Sequence, residues 1–202
     1  AEAFPILAEN VSGETGNFSY QEFTELALSL EGRHQLANAA VAIEVLWALA
    51  VRGYPWSEEE LKRGLAQAQN PGRLEWIKGT PTILFDGAHN PQALEALLEY
   101  LRERHAGRKL AVVFGMSKEK DRASALRLIS ALQADFYFTA FPNARSLDSE
   151  SWRRAAKDAG IKGEFFEDPR DALSAASTRH PPPDLVVVTG SLFLVAALRP
   201  HF

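Results

Sequence analysis

Residues 71–202 predict an α/β fold built on a mainly parallel sheet. Three observations carry that prediction. Short runs rich in Val, Ile and Phe recur along the segment, stretches of helical pattern separate them, and turn or capping residues punctuate the junctions. Continuous apolar runs mark strands buried on both faces, as in parallel sheets.

In chain order, residues 17–30 read as extended, with Leu26, Leu28 and Leu30 alternating with residues that face the other way, and Gly13 and Gly16 marking turns. Residues 33–52 read as a helix. Leu36, Ala39, Ala40, Ile43, Leu46, Trp47 and Ala50 fall on one stripe, and Gly53 ends it. Ser57 with Glu60 spells a capping box for a second helix reaching about residue 69. Asn70-Pro71-Gly72 breaks the chain. This first part offers little to close a core, so it reads as the end of something larger, with residues 1–30 expected to be mobile or paired with another chain.

Beyond it, strands are predicted at 73–77, 82–85, 109–114, 135–139, 164–166 and 185–189. Asn90 caps a helix that opens with Pro91 and runs to about residue 105. Further helices are predicted at 121–133, at 149–159 ending on Gly160, at 169–179 behind the cap Asp168, and at 191–198. In such a sheet, ligands bind beyond the carboxyl ends of the strands. The loops at 86–90, 115–121, 139–145 and 189–191 are therefore the ones that matter.

Composition narrows the function. The chain has 202 residues, 46% of them hydrophobic, and a net charge of −4. That is a globular composition without the basic footprint of a nucleic-acid binder. There is no cysteine, hence no disulfide framework and no thiolate metal site, which suits a reducing cytoplasm. No apolar run is counted at the ~18 residues of a membrane span, and the first ten residues show no signal-peptide pattern. Glycine loops of the G-x-G-x-x-G or G-x-x-x-x-G-K-[ST] type are absent, as are H-E-x-x-H and G-x-S-x-G.

Several residues suit binding chemistry. Asp86-Gly87-Ala88-His89-Asn90-Pro91 joins a buried strand to a helix start, whose free N–H groups favour an anion. Asp86 suits a ribose hydroxyl or the orientation of a base, and His89 a proton or a carboxylate. The same residues also make an ordinary βα turn. Thr189-Gly190-Ser191 forms a small anion nest or a plain helix cap. Lys118 and Lys120 either steer a polyanion or decorate a solvated loop. Gln35 and Asn38 share a helix face and offer paired amides to a base edge, or are polar surface. Arg73 can neutralise a phosphate, or be a surface arginine.

As a set, these signals resemble a known family. The order runs Gly-Arg-His-Gln-Leu-Ala-Asn-Ala-Ala (32–40), Asn-Pro-Gly-Arg-Leu-Glu (70–75), Phe-Asp-Gly-Ala-His-Asn-Pro (85–91), Phe-Gly-Met-Ser-Lys-Glu-Lys-Asp (114–121) and Val-Thr-Gly-Ser-Leu-Phe-Leu (188–194). It is similar, from about residue 17 onward, to the folylpolyglutamate synthase/dihydrofolate synthase family of the Mur ligase superfamily. Gln35 and Gly87 favour the folate branch over the peptidoglycan ligases.

The resemblance implies a Rossmann-like, mostly parallel six-stranded sheet with helices on both faces (71–202), preceded by the tail of a larger P-loop ATPase domain (1–70). It implies an ATP-dependent ligase joining L-glutamate to a folate or dihydropteroate carboxylate through an acyl phosphate. It assigns Gln35, Asn38, Arg73 and Asp86 to the nucleotide, His89 and Ser191 to glutamate, and His89 and Asp86 to the catalytic surroundings. ATP and Mg are the implied cofactors, with the Mg ligands, the P-loop and most of the folate pocket upstream of Ala1. The chain is thus expected to be inactive alone. The complete enzyme is expected to be a cytoplasmic monomer that binds neither nucleic acid nor membrane. Another amino-acid ligase of the superfamily, or a non-catalytic glutamate- or nucleotide-binding module, remains as an alternative.

Overall fold

The structure, a computed structural model, describes residues 11–12, 15–179 and 182–201. The chain forms two compact units, residues 1–70 and 71–202.

In the first unit, β1 (Val11–Ser12), β2 (Thr15–Tyr20) and β3 (Phe23–Leu28) make an antiparallel sheet, followed by α1 (Arg33–Val51) and α2 (Glu58–Ala66). The unit closes its own core, contrary to the expectation that so few elements would not. Phe18, Tyr20, Phe23, Leu26 and Leu28 pack against Leu36, Ala39, Ala40 and Ile43 of α1 and Leu61 and Leu65 of α2. Aromatic bulk is the reason: such rings bury about 150–250 Å² each. Phe23, Trp47 and Trp56 form a cluster with centroids 5.3–6.1 Å apart. Trp56 Nε1 donates to Leu46 O at 2.8 Å, and the Ser57–Glu60 capping box opens α2 as predicted. Of residues 1–30, expected to be mobile or paired elsewhere, 1–10 and 13–14 lie outside the described residues, while 15–30 belong to this packed hairpin.

Only one side of α1 is buried. Val41 is 60% exposed and Val45 52%. No uninterrupted apolar run of membrane-spanning length occurs in α1, since Gln35, Asn38 and Glu44 break it. Over an 18-residue window α1 has a mean hydropathy of 1.4, long and apolar enough to cross a membrane by length and composition alone.

The second unit contains β4 (Glu75–Ile77), β5 (Thr82–Phe85), α3 (Pro91–Arg104), β6 (Leu110–Phe114), α4 (Arg122–Ile129), β7 (Ala134–Thr139), α5 (Ser149–Asp158), β8 (Glu164–Phe166), α6 (Pro169–Thr178), β9 (Leu185–Thr189) and α7 (Leu192–Leu198). The strand order is β4-β5-β9-β6-β7-β8, with only β4 antiparallel. This is the predicted mostly parallel six-stranded sheet. Helices α3, α4 and α5 cover one face and α6 and α7 the other, each with its own core. Trp152 is fully buried on the first face, stacked on Phe138, with Nε1 donating to Thr139 O at 3.1 Å.

Two boundaries moved for local reasons. The helix predicted at 121–133 ends at Ile129, where the chain tightens into i→i−3 bonds from Ala131 to Leu128 O and Leu132 to Ile129 O. The strand predicted from residue 73 starts at Glu75, because Leu74 takes a left-handed φ of 46°.

Candidate functional site

Central strand β9 brings three loops together at the carboxyl edge of the sheet. Asp86 N–H donates to Val188 O at 3.0 Å, and Gly115 N–H to Thr189 O at 3.2 Å. The loops after β5, β9 and β6 are therefore neighbours, although their strands end at Phe85, Thr189 and Phe114, far apart in sequence. A connection that crosses past β9 and later returns to it creates the crevice that binds ligands in open α/β sheets.

Asp86 directly follows β5 and is 5% exposed. Its Oδ2 accepts from Leu74 N–H at 2.9 Å and its Oδ1 from Ala88 N–H at 2.8 Å. Gly87 N–H donates to Gly72 O at 2.7 Å. The β5–α3 loop is thus laced to the turn that carries Arg73. Arg73 sits half-buried in that turn rather than in a strand, and no carboxylate pairs with it among the described residues. An arginine at a carboxyl-edge loop with no internal counter-ion is available to an anionic ligand.

His89 Nδ1 lies 2.8 Å from Gly87 O. A carbonyl only accepts, so Nδ1 carries the proton and Nε2 is left for other chemistry. Neutral, Nε2 accepts an N–H; protonated, it donates to a carboxylate. Asn90 is engaged as the cap of α3, its Oδ1 accepting from Ala93 N–H at 2.8 Å. Ser191 is 4% exposed and caps α7 through Phe193 N–H at 3.1 Å, so its own hydroxyl proton remains to be donated. Next to it, Thr189 Oγ1 is buried without a hydrogen-bond partner, a feature invisible in the sequence.

Arg73, Asp86, His89 and Ser191 lie on the loops of this one edge. Gln35 and Asn38 belong to the first unit. Gln35 is 3% exposed, and its Oε1 accepts from Asn38 Nδ2 at 2.9 Å, so the two amides act as a bonded pair rather than as loose surface. Asp121 caps α4, and hydrogen bonding from Ser124 lowers its pKa. Lys118 Nζ donates to Ala144 O at 3.2 Å, tying the loops after β6 and β7 together.

A groove of about 770 Å³ opens beside these loops, with Lys118, Asn143, Asp148, Glu167, Arg170 and His201 among its walls. Hydrogen bonding from Arg170 holds Asp168 there down to about 2. Among the described residues, no group of three or more His, Asp or Glu side chains is placed to hold a metal ion.

Fold and loops together define a doubly wound α/β domain whose candidate ligand site is at the carboxyl edge of its sheet. The Mur ligase, glutamate ligase domain model matches residues 72–192, and the chain belongs to that family. It is 29% identical to the dihydrofolate synthase/folylpolyglutamate synthase of Bacillus subtilis, over 93% of this chain and 44% of that protein. It is likewise 29% identical to the folylpolyglutamate synthase of Lacticaseibacillus casei, over 97% and 46%. The Mycobacterium tuberculosis folylpolyglutamate synthase complexed with ADP and AMPPCP superposes with a TM-score of 0.86 at 25% identity, covering 99% of this chain and 48% of that one. The chain spans about half the length of the curated relatives it matches.

Proposed function

We propose that this chain supplies the glutamate- and nucleotide-facing part of an ATP-dependent amide ligase. The observation that carries the reading is the carboxyl-edge cluster: Arg73, with no acidic partner among the described residues, on a turn laced to Asp86, with His89 and Ser191 on neighbouring loops. In this reading ATP transfers its γ-phosphoryl group to a carboxylate oxygen of dihydropteroate or a folyl-glutamate, releasing ADP. The amine nitrogen of L-glutamate attacks the acyl carbon, loses a proton, and the tetrahedral intermediate expels phosphate.

Arg73 neutralises phosphate charge, and Asp86 holds the Arg73 turn and serves the ribose. His89 Nε2 and the Ser191 hydroxyl hold a glutamate carboxylate. Gln35 and Asn38 meet the adenine side. Mg would offset the charge of the triphosphate, and we place its ligands, with the P-loop, on a domain outside this chain. The exposed apolar side of α1, with Val41 and Val45, is the surface that would pack on that domain. A cytoplasmic location belongs to the same reading.

ADP release tests it, measured with ATP, L-glutamate and either dihydropteroate or a tetrahydrofolate. The chain joined to its P-loop domain should turn over, and the chain alone should not. Arg73→Ala and Asp86→Ala should weaken ATP use, and His89→Ala and Ser191→Ala should raise the glutamate requirement. Sustained ADP release by the chain alone, or four variants with unchanged kinetics, would sink the assignment. Preference for a different amino acid would move it to another ligase of the superfamily.

A further inference from the structure

The last helix touches both loops of the site with one face. Leu192, Val195 and Arg199 are three and four residues apart, the spacing of a single helix face continued into the 3-10 turn Arg199–His201. A methyl group on Gly87 would lie 2.2 Å from Leu192 Cδ2, and one on Gly72 would lie 2.9 Å from Val195 Cγ1. The backbones of both loops therefore press directly against this face. At its end, Arg199 Nε donates to both Glu75 carboxylate oxygens at 2.9 Å. Glu75 Oε2 also accepts from Gly72 N–H at 2.8 Å.

We propose that this face of α7, through the Arg199–Glu75–Gly72 chain of contacts, is a clasp that sets the position of Arg73 for its ligand. Arg199 and Glu75 are positioning residues; neither has to touch the nucleotide. The functional half of this inference rests on the reading of Arg73 as a phosphate ligand. Arg73 lies between Gly72, held by Glu75, and Leu74, whose N–H is held by Asp86. Leu74 keeps a left-handed φ of 46°, a conformation that a leucine holds only under restraint from its surroundings. Asp86 restrains one side of Arg73 and the clasp the other. Burial works to raise the Glu75 pKa, but the Arg199 and Gly72 hydrogen bonds outweigh it and leave a net lowering. Val195 and Arg199 lie beyond the residues that the family model matches.

The clasp and its function are tested separately. In the 202-residue chain, amide exchange at Gly72 should accelerate in Arg199→Ala and Glu75→Gln, and unchanged exchange overturns the clasp. In the ligase joined to its P-loop domain, the same variants should raise the KM for ATP by about threefold to fivefold with kcat little changed, the size of one half-exposed ion pair. Arg199→Lys should fall between wild type and Arg199→Ala. A lowered melting temperature with an unchanged KM for ATP overturns the positioning role, provided Arg73→Ala raises that KM. If Arg73→Ala leaves the KM unchanged, the phosphate reading of Arg73 fails and takes the functional half with it, while the Gly72 exchange still decides the clasp.

Discussion

Replacing Asp86 with alanine removes the acceptor of two buried backbone donors, Leu74 N–H at 2.9 Å and Ala88 N–H at 2.8 Å. Leu74 is 5% exposed and Ala88 is fully buried, so water does not readily replace the carboxylate. An orphaned buried donor costs about 1–3 kcal/mol, which puts the two together near ~4 kcal/mol. Relaxation of Leu74 from its left-handed conformation returns about 1 kcal/mol. The net loss expected for Asp86→Ala is ~3 kcal/mol, in a domain whose total is of order 5–15 kcal/mol. Asp86→Asn keeps one acceptor and sets an NH₂ against the other donor, so ~2 kcal/mol is expected. Native-state hydrogen exchange of the β9 amides reads this directly, because that fully buried central strand opens only with the whole domain. A loss below about 1 kcal/mol for Asp86→Ala would refute the claim that its carboxylate holds the site together. The same number bears on function: a domain short by ~3 kcal/mol is still mostly folded. A larger drop in nucleotide use would therefore be a ligand effect rather than unfolding.

Two further outcomes follow from packing and from charge. Gly87→Ala puts a methyl group 2.2 Å from Leu192 Cδ2 and 2.6 Å from its Cγ. It should cost about 1–3 kcal/mol, and Leu192→Ala in the same chain should recover more than half in a thermal double-mutant cycle; an additive cycle would rule the contact out. His105 has both ring nitrogens buried without a partner, its ring against Trp76 at 4.9 Å and Tyr100 at 5.7 Å. Burial, then the charges of Arg108 and Arg104, lower its pKa. The unfolded chain thus takes up the proton first. The stability His105 contributes is complete above about pH 6.5, is lost as pH falls through that value, and levels off below the folded pKa. His105→Phe should flatten the urea-midpoint profile between about pH 7 and 5, and an unchanged slope would contradict the assignment.

The parallel sheet was legible because burial on both faces leaves its mark within each strand. The runs at 82–85, 164–166 and 185–189 coincide with β5, β8 and β9. Helix starts were legible for a similar reason, since a cap acts within three residues. Ser57, Asn90, Asp121, Asp168 and Ser191 each accept the N–H of a residue two or three positions on. The core of the first unit was not legible because counting elements ignores how much area Phe18, Tyr20 and Phe23 bury. The candidate site was legible as motifs but not as geometry. Asp86 stood out as a strand-end carboxylate, while its two backbone partners did not.

What the sequence determined alone was therefore short-range: periodicity, caps, chain breaks and the ordered motifs that mark a Mur ligase domain. The tertiary structure decided everything that depends on distant residues meeting. It placed Arg199 on Glu75 across 124 positions and seated Leu192 on Gly87. It turned Leu74 left-handed under the Asp86 carboxylate, and left Thr189 and His105 with buried polar atoms unpaired. A local signal is written in residues that interact within one turn or one strand. A buried partner is chosen only when the sheet closes, when desolvation makes each unmet donor costly and only the folded chain supplies the acceptor.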